Sequence, residues 1–175
     1  MAMVGLFWIA EGDVYVGAKP SGLAPGVRLT PEGVMGLGDR QTGLRLWEDV
    51  RSLTVADVPV RTLGRRVGAA RSLAVGMVMN LALGDGGLAE EAPPLMTVRV
   101  ESADGEHEWA AYAAASVGYS PAEAELSRAL LTRLTEGAAT MATTLAAMAD
   151  WGRAWEGASP RAAERERLLR QWLGR

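Results

Sequence analysis

Over the first 60 residues the apolar positions come in short runs, each broken by glycine, proline or acidic residues. Residues 4–10 form one such run, rich in strand formers. Glu11-Gly12-Asp13 then supplies a turn before Val14-Tyr15-Val16, and the pair predicts a β-hairpin. Pro20-Ser21-Gly22 and Pro25-Gly26 mark a loop. Val27 and Leu29 alternate with polar neighbours, Pro31-Glu32-Gly33 turns the chain, and residues 34–37 return as the next strand. Residues 39–43 read as a polar turn. Leu44-Arg45-Leu46-Trp47 alternates again, and Leu53-Thr54-Val55 is a further strand-like stretch.

The pattern changes over residues 59–94. Arg61, Arg65, Arg66 and Arg71 occur with no acid between Val58 and Gly84. They precede the apolar residues 73–83, whose periodicity does not decide between strand and helix. Residues 84–94 read as a loop from their glycines, acids and prolines. Strand character returns at Leu95, with Met96, Val98 and Val100 on one face, and Asp104-Gly105 predicts a hairpin turn into a strand over residues 107–112.

The clearest helix starts at Ser120. Ser120-Pro121-Ala122-Glu123 has the capping-box spacing, Leu126, Leu130 and Leu134 follow at i+4, and Gly137 falls where a C-terminal cap is expected. Residues 138–155 continue as helix, with Met141, Leu145, Met148 and Trp155 on one stripe. Glu156-Gly157-Ala158 breaks it, and Ser159-Pro160-Arg161 opens a last helix carrying Leu168, Leu169, Trp172 and Leu173 near its end.

Composition mainly removes possibilities. The 175 residues hold no cysteine and one histidine, so disulfides, thiolate metal sites, cysteine nucleophiles and multi-histidine metal centres are excluded. A net charge of −3 argues against general nucleic-acid binding, and the three tyrosines are not interleaved with arginines as a stacking platform requires. Lys19 is the sole lysine among 18 basic residues, which reads as the coding bias of a GC-rich genome because the arginines are spread along the chain. No glycine-rich phosphate loop has the required context. No cofactor is expected. The N-terminal residues lack the basic flank of a secretion signal, and residues 73–83 are too short to span a bilayer, so the expectation is a cytoplasmic protein.

Three pieces of the chain carry a family resemblance. They are the strand–turn–strand Val27-Arg28-Leu29-Thr30-Pro31-Glu32-Gly33-Val34, the element Leu46-Trp47-Glu48-Asp49-Val50, which looks like a W-x-D-[IV] motif, and the Asp104-Gly105 hairpin followed by the helix from Ser120. In this order they resemble the bacterial pleckstrin-homology-like domains, over residues 4–58 and 95–136. The resemblance implies an α+β fold, an antiparallel sandwich or partly open barrel capped by one helix. Residues 1–137 would form that domain, with 59–94 as an insertion and 138–175 as a helical extension. Trp47 would then lie in the core.

The functional expectations follow. The first is a non-catalytic adaptor or assembly domain that binds another protein or a second copy of itself through Trp151, Trp155, Leu168 and Trp172, tryptophan being enriched at binding hot spots. The alternative is peripheral binding to an anionic membrane surface through Arg61, Arg65, Arg66 and Arg71. Catalysis has no support. Glu106 and Glu108 face one side of a strand and His107 the other, and Glu48 and Asp49 diverge in the same way.

Overall fold

Alternation along the early strands gives each a face of small branched residues that must be buried. A computed structural model describes residues 1–61 and 93–174 and shows how this is met. Six short strands form an antiparallel meander: β1 (Ala2–Val4), β2 (Phe7–Ala10), β3 (Asp13–Val16), β4 (Gly26–Leu29), β5 (Gly33–Leu37) and β6 (Gly43–Leu46). A second antiparallel sheet holds β7 (Val50–Ala56), β8 (Leu95–Ser102) and β9 (Gly105–Tyr112). Neither sheet closes on itself. Three helices follow, α1 (Pro121–Arg133), α2 (Ala138–Ala154) and α3 (Ala162–Trp172). The architecture is α+β. No helix of the described residues is long and apolar enough to cross a membrane.

The apolar run at residues 4–10, expected as one strand, is itself a hairpin. The chain reverses at Gly5 and Leu6, with Val4 opposite Phe7 and Ala2 opposite Ile9. Gly5 has φ +57°, a left-handed conformation that an L side chain resists, and a Cβ there would lie 2.2 Å from Ser127 Oγ. The turn carries no polar residue because it is buried, Leu6 being wholly inaccessible. Its backbone is satisfied from elsewhere. Leu6 N–H donates to Ser127 Oγ at 3.0 Å, and Leu6 O accepts from Gly17 N–H at 2.7 Å.

The capping box at the start of α1 is present in full. Ser120 Oγ accepts from Glu123 N–H at 3.0 Å, and Glu123 Oε2 accepts from Ser120 N–H at 3.0 Å. Gly137 does not cap α1, which ends at Leu134. It occupies the N-cap position of α2 instead, with φ +147°.

One core joins all these elements. The inward residues Phe7, Ile9, Val16 and Val34 of the large sheet and Val98 and Val100 of the small one are fully buried. They share a contiguous cluster with Leu130 of α1, Met148 of α2 and Leu169 of α3. Each such side chain is worth roughly 1.5–3 kcal/mol of burial. Residues 138–174 therefore complete the core of the sheets rather than trailing from it. α2 packs on β2 and β3, and α3 packs on β1 and α1. Gly152 permits the closest of these approaches, since a Cβ there would meet Ile9 Cγ2 at 2.2 Å.

Trp47 sits at the rim of the core, half-buried, and its indole N–H donates to Thr30 O at 2.7 Å. Gln41 joins the sheets. Its side-chain amide donates to Ala110 O at 2.8 Å and accepts from Ala110 N–H at 2.9 Å, sealing that edge of β9.

Candidate functional site

The four residues expected to meet a partner do not share one environment. Leu168 and Trp172 lie on the apolar stripe of α3 and are 3% and 6% exposed, turned into the chain's own core. They are not available to a second molecule, because the stripe that made them look like an interface is the stripe that holds α3 to the domain. Trp151 and Trp155, at the end of α2, remain half-exposed. Their rings stack at 5.1 Å between centroids, and Trp151 meets Trp172 edge-on at 5.8 Å. Trp155 ends the helix, and its indole N–H donates to Ala158 O at 3.0 Å. The cluster is a ladder of three indoles running from core to surface, with Arg153, paired to Asp150, beside it.

A buried ion pair ties α3, which carries Trp172, to α1. Arg165 of α3 reaches Glu123 of α1 through Nε, and its Nη1 donates to Pro160 O at 2.6 Å. Glu123 is wholly buried and Arg165 is 8% exposed. Burial pushes the Glu123 carboxyl up, but the Arg165 guanidinium and the Ser120 N–H and hydroxyl outweigh it and hold the group below its ordinary range.

Of the four arginines expected to contact an anionic surface, Arg65, Arg66 and Arg71 lie outside the described residues, as do residues 73–83. Arg61 is engaged within the fold. Its backbone N–H donates to Tyr119 O at 2.8 Å and its Nε to Gly118 O at 2.6 Å.

His107 and its neighbours diverge as their strand positions require. Glu106 and Glu108 flank Arg99, at 3.8 and 2.7 Å, while His107 Nδ1 faces Arg45 Nη2 at 3.4 Å. Among the described residues no group of three or more His, Asp or Glu side chains is placed to hold a metal ion. Two shallow grooves are present. One, of about 420 Å³, lies between the helices and is lined by Arg133, Thr140, Thr144, Gln171 and Trp172. The other, of about 320 Å³, is lined by Gln41, Thr97, Glu108 and Trp109.

A further surface has no counterpart in the sequence-based expectations. The strand registers place Met3, Trp8, Tyr15, Arg28, Met35 and Leu44 side by side across the outer face of the six-stranded sheet. Arg28 bonds Asp13 at 2.5 Å, and the Tyr15 hydroxyl donates to Asp13 at 3.2 Å. Burial, then the Asp13 charge, raise the Tyr15 phenol above its ordinary value. Both faces of β2 and β3 carry large apolar residues, and that was the available signal.

The chain matches no known protein family, and no curated protein or solved structure is detectably similar to it.

Proposed function

We propose that this chain is a non-catalytic protein-interaction module, an adaptor or assembly component, built on a pleckstrin-homology-like arrangement of strands whose open end is closed by helices. The observation that carries the reading is the indole ladder, in which Trp172 anchors Trp151 from the core and Trp151 in turn stacks on the half-exposed Trp155. A large aromatic surface held rigid before binding loses little conformational entropy on contact, which is the property of a hot spot. The partner-facing part is the end of α2, at Trp151 and Trp155. Binding to an anionic membrane has less support, because Arg61 already serves two backbone carbonyl-bearing residues of the fold.

Truncation at residue 138 is not a usable test, since it removes part of the core. The test is a photo-crosslinking residue at position 155, with position 117 as control because Val117 is 74% exposed and is not one of the stacked indoles. A discrete crosslinked protein at 155 and none at 117, abolished by Trp151→Ser, is the expected result. Equal labelling at both positions, or none at 155, overturns the reading.

A further inference from the structure

Helix α2 buries Met141, Leu145 and Met148 in the core it shares with the sheets. Thr140, Thr144 and Ala147, spaced four and three apart, lie on a different flank, along the groove of about 420 Å³. Arg133 bounds that groove from the last turn of α1, and Gln171 and Trp172 bound it from α3. Folding leaves its polar groups unused. Thr144 is 5% exposed, yet its hydroxyl bonds to no described residue. Thr132, by contrast, donates to Arg128 O one turn back at 3.2 Å. Arg133 Nε is buried without an acceptor among the described residues. The exposed Glu136 carboxylate stands 4.0 Å from Arg133 Nη1, too far for a hydrogen bond. The first turn of α2 adds to the same groove through Ala139 and Thr140. Its N-cap is Gly137, which has no side chain to bond the free amides, and Ala138-Ala139-Thr140 brings no acid to the positive end of the helix. Arg61 and Pro93, where the described chain leaves and resumes, lie by the opposite end of α1. Arg61 bonds Gly118 and Tyr119 there, and Pro94 O accepts from Ala113 N–H. Arg133 is the length of α1 away, about 20 Å.

We propose that this groove binds a small phosphorylated compound, its phosphoryl group held between Arg133 and the N-terminus of α2. The guanidinium, the threonine hydroxyls, the free amides and the Gln171 carboxamide can all donate to an oxyanion. No Asp or Glu is among the described residues that line the groove. The donors come from three helices and so from different directions, which suits a tetrahedral phosphoryl group better than a planar carboxylate. An oxyanion that accepts from Thr144 satisfies a buried hydroxyl that the fold leaves unpaired. Ala147 and Trp172 supply apolar wall for the organic part of the ligand. The groove is shallow and Arg133 is the one cation lining it among the described residues, so the affinity is modest, in the millimolar range. The site meets the indole ladder only through Trp172, and it does not depend on what the ladder binds.

Titration of phenyl phosphate into the isotope-labelled full chain tests the proposal by NMR. The signals to follow are the backbone amides of Ala138, Ala139 and Thr140 and the Arg133 Nε–H. They move together and saturate, with a dissociation constant on the order of 1 mM. Inorganic phosphate moves the same signals and binds more weakly, and benzoate binds more weakly still. Arg133→Gln raises the dissociation constant for phenyl phosphate roughly tenfold. Glu136→Gln, which removes the nearby carboxylate, lowers it. Thr144→Val raises it about fivefold and leaves the melting temperature at or above that of the wild type, because the lost hydroxyl has no partner in the free protein. Signals that stay still or drift without saturating overturn the proposal. So does benzoate binding as tightly as phenyl phosphate, or an affinity unchanged in both Arg133→Gln and Thr144→Val. A lowered melting temperature in Thr144→Val also overturns it, since the hydroxyl then serves the fold.

Discussion

Replacing Arg165 by methionine leaves the Glu123 carboxylate, wholly buried, without its counter-charge. Methionine keeps most of the stem's volume, so the change is chiefly electrostatic. Removing one partner of a buried ion pair costs about 3–5 kcal/mol, because the remaining charge has lost both water and its mate. For a chain of this size that lowers the melting temperature by about 10 °C. The penalty has a pH signature. In the wild type the Glu123 carboxyl is held below its ordinary value of 4.5, so the stability it contributes is present above that value and fades as the pH falls through the lowered one. In Arg165→Met burial is opposed only by the Ser120 N–H and hydroxyl, so the same group rises from its wild-type position. The variant's deficit is then largest near neutral pH and shrinks as Glu123 takes up a proton on acidification. Urea unfolding of both proteins at pH 7 and near pH 4 measures this. Adding Glu123→Gln to Arg165→Met removes the stranded charge and recovers a large part of the loss at pH 7. A cost below about 1 kcal/mol at pH 7, or an equal cost at both pH values, refutes the reasoning.

Two more perturbations test how the helices are held to the sheet. Ser127→Ala strips the acceptor from the buried Leu6 N–H and destabilises by about 1–3 kcal/mol in denaturant titration, whereas Ser127→Thr keeps an acceptor and tests whether the site tolerates one added methyl. Gly152→Ala should raise helix propensity by up to about 1 kcal/mol, yet calorimetry will show net destabilisation, because the new Cβ is 2.2 Å from Ile9 Cγ2 in a packed core.

Local chemistry was legible in the sequence where it is local in the structure. Ser120 and Glu123 announce a helix start because the capping box is closed within four residues. The turn at Pro31-Glu32-Gly33 and the hairpin at Asp104-Gly105 are likewise self-contained, as the pairings Leu29 with Val34 and Ser102 with Gly105 record. The turn at Gly5-Leu6 was hidden because the usual polar turn residues are replaced by a hydroxyl 121 positions away, that of Ser127. Leu168 and Trp172 read in sequence as a partner surface because an apolar stripe looks the same whether it faces its own sheet or another molecule. The row from Met3 to Leu44 takes one residue from each of six strands, so it exists only once the register does.

Met3 N–H donates to Ser159 Oγ, a bond that spans 156 positions, and Gly5 sits under Leu169. Contacts of that separation make contact order high and folding correspondingly slow. Vectorial synthesis sharpens the effect. The β1–β2 hairpin leaves the ribosome among the first residues of this sequence, with an unanswered Leu6 amide and a bare apolar face. It waits until Ser127 and then Leu169 have been translated. Over that interval the inward apolar face of the nascent sheet has no helix to cover it, the condition in which unpaired strands are most prone to aggregate.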